Sequence, residues 1–79
     1  MIGYHVTTRK KLQRYLETGI ILPPVRFWTS IEDAERFSKQ TGRRIILRLT
    51  VPESAIHRLS GHRGRAYWSR DGIVLPNAP

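Results

Sequence analysis

Residues 43–51, Arg43-Arg44-Ile45-Ile46-Leu47-Arg48-Leu49-Thr50-Val51, admit one regular local structure. Side chains of an extended chain alternate between two faces, so Ile45, Leu47, Leu49 and Val51 share one side, whereas a helix would scatter them around its axis. This pattern predicts a central strand. Ile46 offers partial cover on the second face, and Arg44 and Arg48 point that face toward an edge or groove. A strand of this kind is stable only beside others, so the flanking segments must supply the rest of a sheet.

They do so in short pieces punctuated by glycine and proline. Residues 2–7 alternate, with Ile2, Tyr4 and Val6 on one face and His5 and Thr7 on the other. Leu12, Tyr15 and Leu16 then recur at helical spacing, and Gly19 stands where a left-handed terminal residue is wanted, which predicts a helix over residues 8–18. Ile20-Ile21-Leu22 is a brief extended segment stopped by Pro23-Pro24. Extended structure resumes over residues 25–29, where Val25 and Phe27 oppose Arg26 and Trp28. Ser30-Ile31-Glu32-Asp33 reads as a capping box with Asp in the last place, followed by Ile31, Ala34 and Phe37 on one helical face. Glu32 with Arg36, and Glu35 with Lys39, have the spacing of stabilising ion pairs on that helix, and Gly42 ends it.

Beyond the residue 43–51 strand, Pro52-Glu53-Ser54 begins a turn and residues 55–59 are expected as one helical turn. A basic, glycine-bearing loop follows over residues 60–65 and is expected to be mobile. Ala66-Tyr67-Trp68 and Ile73-Val74-Leu75 read as extended segments on either side of the turn Arg70-Asp71-Gly72, and Pro76 closes the fold. The sum is one α+β domain spanning residues 1–79, with two main helices and a small, split, mostly antiparallel sheet.

Length and charge restrict what that domain does. Its 79 residues, 39% of them hydrophobic, suffice for one small core. The sequence has no cysteine, hence neither disulfides nor thiolate metal ligands, and a cytoplasmic location is expected. No apolar run approaches the roughly 20 residues of a membrane span, so no membrane association is expected. Fourteen Lys and Arg against six Asp and Glu give a formal charge of +8, which points to a polyanionic partner. Only His5, His57 and His62 could join a zinc site, without HExxH spacing, and no metal is expected.

Two regions concentrate this chemistry. Where the first strand hands over to the first helix, Thr7 or Thr8 can cap the helix, while Arg9, Lys10 and Lys11 add positive charge at an end whose dipole is already positive. A bound phosphate would offset that repulsion. The second region, residues 57–70, holds His57, Arg58, His62, Arg63, Arg65 and Arg70 with Tyr67 and Trp68 and no acid. Basic residues interleaved with aromatic ones suit single-stranded nucleic acid. Gly61-His62-Arg63-Gly64 also matches the backbone clamp of KH domains, although those join two helices and here an aromatic extended segment follows. Arg9, Lys10, Lys11, Arg63, Arg65 and Trp68 are therefore the expected contacts to nucleic acid, RNA foremost.

Tyr4-His5-Val6-Thr7, the helix ending in Gly19-Ile20-Ile21, Phe27-Trp28-Thr29-Ser30, Asp33-Ala34-Glu35-Arg36-Phe37 and the residue 45–51 strand together resemble the ADP-ribosyltransferase-like fold in order and spacing. Within it, the chain is most similar to the RNA 2′-phosphotransferase group. That group's opening His-Gly-Thr motif falls on His5 and Thr7, the arginine after its first helix on Arg26, and its late Ser-x-Asn-Gly-Val motif on Ser69-Arg70-Asp71-Gly72-Ile73. Val6 replaces the motif's glycine and Asp71 its asparagine, and the glutamate that the transferase branch uses near its final strands has no counterpart.

The resemblance implies an NAD-dependent phosphotransferase or ADP-ribosyltransferase acting on a phosphorylated nucleic acid, with His5, Arg26 and Arg70 as catalytic residues. It implies NAD as co-substrate, with His5, Thr7, Thr8 and Trp28 binding it. Arg26, with Arg65 or Arg70, would hold the transferred phosphate, and catalysis would rest on positioning and electrostatics. Two other readings stay open from the residues themselves. One is a non-catalytic basic module that binds RNA or DNA, and the other is a toxin-like protein whose positive face meets an acidic protein partner.

Overall fold

A computed structural model describes residues 1–53, 56–58 and 66–75. In chain order these form β1 (Ile2–Thr7), α1 (Arg9–Thr18), β2 (Ile20–Ile21), β3 (Val25–Trp28), α2 (Ile31–Thr41), β4 (Ile45–Thr50), β5 (Ile56–Arg58), β6 (Ala66–Ser69) and β7 (Ile73–Val74). The domain is α+β, with two helices and antiparallel strand pairs divided between a five-stranded sheet in the order β4-β1-β3-β6-β5 and a two-stranded sheet of β2 and β7. Among the described residues no helix is long and apolar enough to cross a membrane.

Both helices begin and end on the residues their chemistry selects. The Thr8 hydroxyl accepts from the Lys11 amide at 3.2 Å and the Ser30 hydroxyl from the Asp33 amide at 3.4 Å, satisfying donors the first turns leave free. At the other ends Gly19 and Gly42 adopt φ of 76° and 73°, where a side chain would be strained. On α2, Arg36 reaches Asp33 at 3.6 Å, one residue nearer than the Glu32 offered by four-residue spacing.

Adjacent residues of β3 divide the core. Val25 and Phe27 join Ile21, Leu49, Val51 and Ile73 in one cluster, against which Tyr15 of α1 and Tyr67 pack. Trp28 faces the other way, into a cluster with Val6, Ala34 and Ala66 that Phe37 of α2 completes. Period-two alternation thus places the two clusters on opposite sides of one sheet. Phe27, with 0% of its surface exposed, lies across Gly3, where an added Cβ would sit 2.5 Å from the ring's Cδ2. The close approach of β1 to β3 depends on that missing side chain.

Two expectations require correction. The residue 43–51 strand is an edge of its sheet, paired with β1 alone, and the central positions belong to β1, β3 and β6. Arg44 and Arg48 are exposed there, as charges on an edge strand should be. The expected helical turn at residues 55–59 is instead strand β5 over residues 56–58, held by pairing with β6, while Ala55 and Leu59 lie outside the described residues. The segments flanking Arg70-Asp71-Gly72 do not pair with each other. β6 belongs to the large sheet and β7 to the small one, so this turn hands the chain between sheets, with the Ser69 hydroxyl accepting from the Asp71 amide at 3.2 Å. The residue 60–65 loop, including Arg63 and Arg65, and Pro76 also fall outside the described residues.

Candidate functional site

The strand pair at the middle of the large sheet is incomplete. β1 shares six register pairs with β4 but a single one with β3, Tyr4 with Trp28, after which the two strands part. His5 spans the opening. Its Nδ1 lies 2.5 Å from the Arg26 carbonyl oxygen, and because a carbonyl only accepts, Nδ1 carries the proton and donates it. Nε2 is then the accepting atom, and the Tyr15 hydroxyl donates to it across 3.4 Å. The two rings are 5.9 Å apart and inclined by 51°. A side chain therefore ties β1 to β3 where backbone pairing stops, and α1 holds the far side of the imidazole.

The electrostatic surroundings keep this imidazole neutral. Burial is the largest cause and pushes the His5 pKa below its ordinary 6.5, the hydrogen bond to the Arg26 carbonyl pulls the other way, and the charges of Lys11, Arg43 and Arg26 add to the lowering. A cationic histidine among these three cations would be unfavourable. The same arrangement leaves positive charge unspent beside an uncharged, oriented ring.

A cavity of about 790 Å³ opens at this place. Among the described residues its cations are Lys11 and Arg14 from α1, Arg26 from β3 and Arg43 just after α2, and its one carboxylate is Glu17. Lys11, Arg14 and Thr18 recur on one face of α1, and the Ser38 hydroxyl donates to the Arg43 carbonyl, fixing the turn from which that side chain departs. Aromatic surface comes from Tyr15, Trp28, Phe37 and Trp68, and an aliphatic wall from the segment around β2, including Ile20 and Leu22. Four cations against one acid favour an anion, while the rings favour a flat heterocycle. The pairing of these two features suits a nucleotide.

Comparison with family models, with curated proteins and with solved structures gives no match.

Of the residues expected to act, the structure brings His5, Lys11, Arg26, Trp28 and Trp68 to the cavity. Trp28 is buried, 4.4 Å from the Phe37 ring, and shows the cavity only part of its indole. Thr7 follows β1 alternation onto the same face as His5, yet it is 1% exposed and stands outside the lining, with its Oγ1 lacking a partner among the described residues. Thr8 is committed to the α1 cap. Arg9 and Lys10 are exposed away from the lining, and Arg70 is exposed in the bend after β6. The residues the sequence left unassigned to the site are Arg14, Tyr15, Phe37 and Arg43. For Arg14 the signal was its three-residue spacing from Lys11, while Tyr15 reads from sequence as core and serves both purposes. Among the described residues no three of His, Cys, Asp and Glu converge as metal ligands do.

Proposed function

We propose that this chain is an ADP-ribosyltransferase-like domain, closest to the RNA 2′-phosphotransferase group, that binds NAD in the opening between β1 and β3 and acts on a phosphorylated nucleic acid. The observation that carries this reading is His5, held neutral by burial and in one tautomer by the Arg26 carbonyl and the Tyr15 hydroxyl, in the lining of a cavity furnished with cations and aromatic rings. The donor set fits the dinucleotide. Lys11, Arg14 and Arg43 supply charge for a pyrophosphate, and Tyr15 and Phe37 supply apolar surface for its heterocycles.

NAD, when bound, supplies a ribose carbon with a good leaving group. The chain's own contribution is positional. His5 presents a fixed imidazole edge to the ligand, Arg26 draws a phosphate to the same opening, and surrounding cations stabilise negative charge gathered there. Arg70 lies outside the cavity lining, so the phosphate-holding role passes to Arg26 with Arg43. Glu17 is the single carboxylate in the lining, in keeping with a mechanism built on arginines.

The test is calorimetric titration with NAD of the wild type, His5→Ala and Arg43→Ala, with circular dichroism confirming that each is folded. Loss of binding in His5→Ala and about tenfold weaker binding in Arg43→Ala are the expected results. Wild-type protein that binds no NAD at millimolar concentration would sink the proposal.

A further inference from the structure

Three side chains on three neighbouring strands form a row. Arg26 of β3 is the register partner of Trp68 on β6, which is in turn the partner of His57 on β5. Directly opposed residues of antiparallel strands project from the same face and touch. The His57 imidazole stacks on the Trp68 indole, with centroids 4.7 Å apart and planes inclined by 27°. Arg26 is exposed beside them.

Packing explains the other tryptophan of this face and not this one. Trp28 is 3% exposed against Phe37, with Ala34 and Ala66 in the same cluster. Trp68 is only half-buried, borders the cavity together with Arg26, and has no place in either apolar cluster of the described residues. An accessible indole beside a guanidinium combines a surface for a base with a partner for a phosphate. Single-stranded nucleic acid offers both groups together, whereas a duplex hides its base faces in its own stack. Neither a ring face nor a guanidinium on phosphate reads the 2′-hydroxyl, so DNA serves as well as RNA to probe the row.

We infer that the Arg26, Trp68 and His57 row seats a single strand of nucleic acid, one base stacked on Trp68 and a neighbouring phosphate paired with Arg26. As the place where a second reactant would approach the cavity, the row rests on the nucleotide reading. Its binding is measured without NAD, so each can fail alone.

The experiment titrates the full chain, without NAD, with an oligothymidylate of about eight residues, following tryptophan fluorescence and repeating the titration at several salt concentrations. Trp68→Leu and His57→Ala should each weaken binding about tenfold, and Trp68→Phe should retain most of it. His57 lies outside the cavity lining, so His57→Ala should leave NAD affinity unchanged. Circular dichroism establishes folding, and Trp68→Phe keeps the test decisive if the leucine variant unfolds. Unchanged affinity in folded His57→Ala and Trp68→Leu would overturn the inference, as would equal affinity for a duplex of the same length.

Discussion

The imidazole of His5 donates to the carbonyl oxygen of Arg26 at 2.5 Å, across the point where β1 and β3 part. One side-chain hydrogen bond therefore does two things, closing a gap in the sheet and leaving a known nitrogen, Nε2, as the acceptor.

The first prediction concerns pH. His5 titrates below 6.5 in the folded chain, so between its unfolded and folded pKa values the unfolded state binds more protons. Stability therefore falls as pH drops through 6.5 toward the folded pKa, and above 6.5 the residue adds no pH dependence. Urea unfolding between neutral and mildly acidic pH should show a steeper loss for the wild type than for His5→Gln. Equal slopes would contradict the neutral, buried imidazole.

Tyr15→Phe removes a donor to Nε2 while keeping the ring. The hydrogen bond is long at 3.4 Å, so the stability change should stay below about 1 kcal/mol. The informative readout is the His5 titration by NMR, which should move up in pH, because the lost bond favoured the neutral form.

Gly3→Ala places a methyl 2.5 Å from Cδ2 of Phe27, on the strand that carries His5. Overpacking of this kind costs about 1–3 kcal/mol, measurable as a lower denaturation midpoint. A variant as stable as the wild type would mean that β1 and Phe27 can move apart freely.

Two sets of basic residues should separate by function. Lys11→Ala and Arg43→Ala should each lower NAD affinity about tenfold at low salt, and less as salt screens the charges. Arg9→Ala and Lys10→Ala, outside the cavity lining, should leave it near the wild-type value. Uniform losses across all four would indicate diffuse attraction in place of a site.

Much of the fold was legible because local chemistry decided it. Ser30 with Asp33, and Gly19 and Gly42, set helix limits without help from elsewhere. Strand order was not legible, since the alternation of Ile45, Leu47 and Leu49 says which side is covered and nothing about how many neighbours the strand has. Residues 56–58 show the same limit. Ile-His-Arg has no strong preference of its own, and pairing with β6 decides its conformation. At the site, His5 and Arg26 stood out by residue type, but the bond between them joins a ring to a backbone carbonyl that no side-chain pattern announces. Arg43 looked like the start of a strand because its role depends on where α2 ends relative to β1.

The small sheet has a kinetic meaning. β2 meets β7 from the far end of the described chain, with Ile20 opposite Val74 and the Leu75 amide donating to the Gly19 carbonyl. These contacts close a loop of roughly fifty residues with only the Ile20–Val74 and Ile21–Ile73 register pairs to offset the entropic cost. The aliphatic wall of the cavity around Ile20 and Leu22 should thus be among the first parts of the molecule to open. Whatever occupies the cavity would slow the escape of those strands, and so lengthen the lifetime of the native chain.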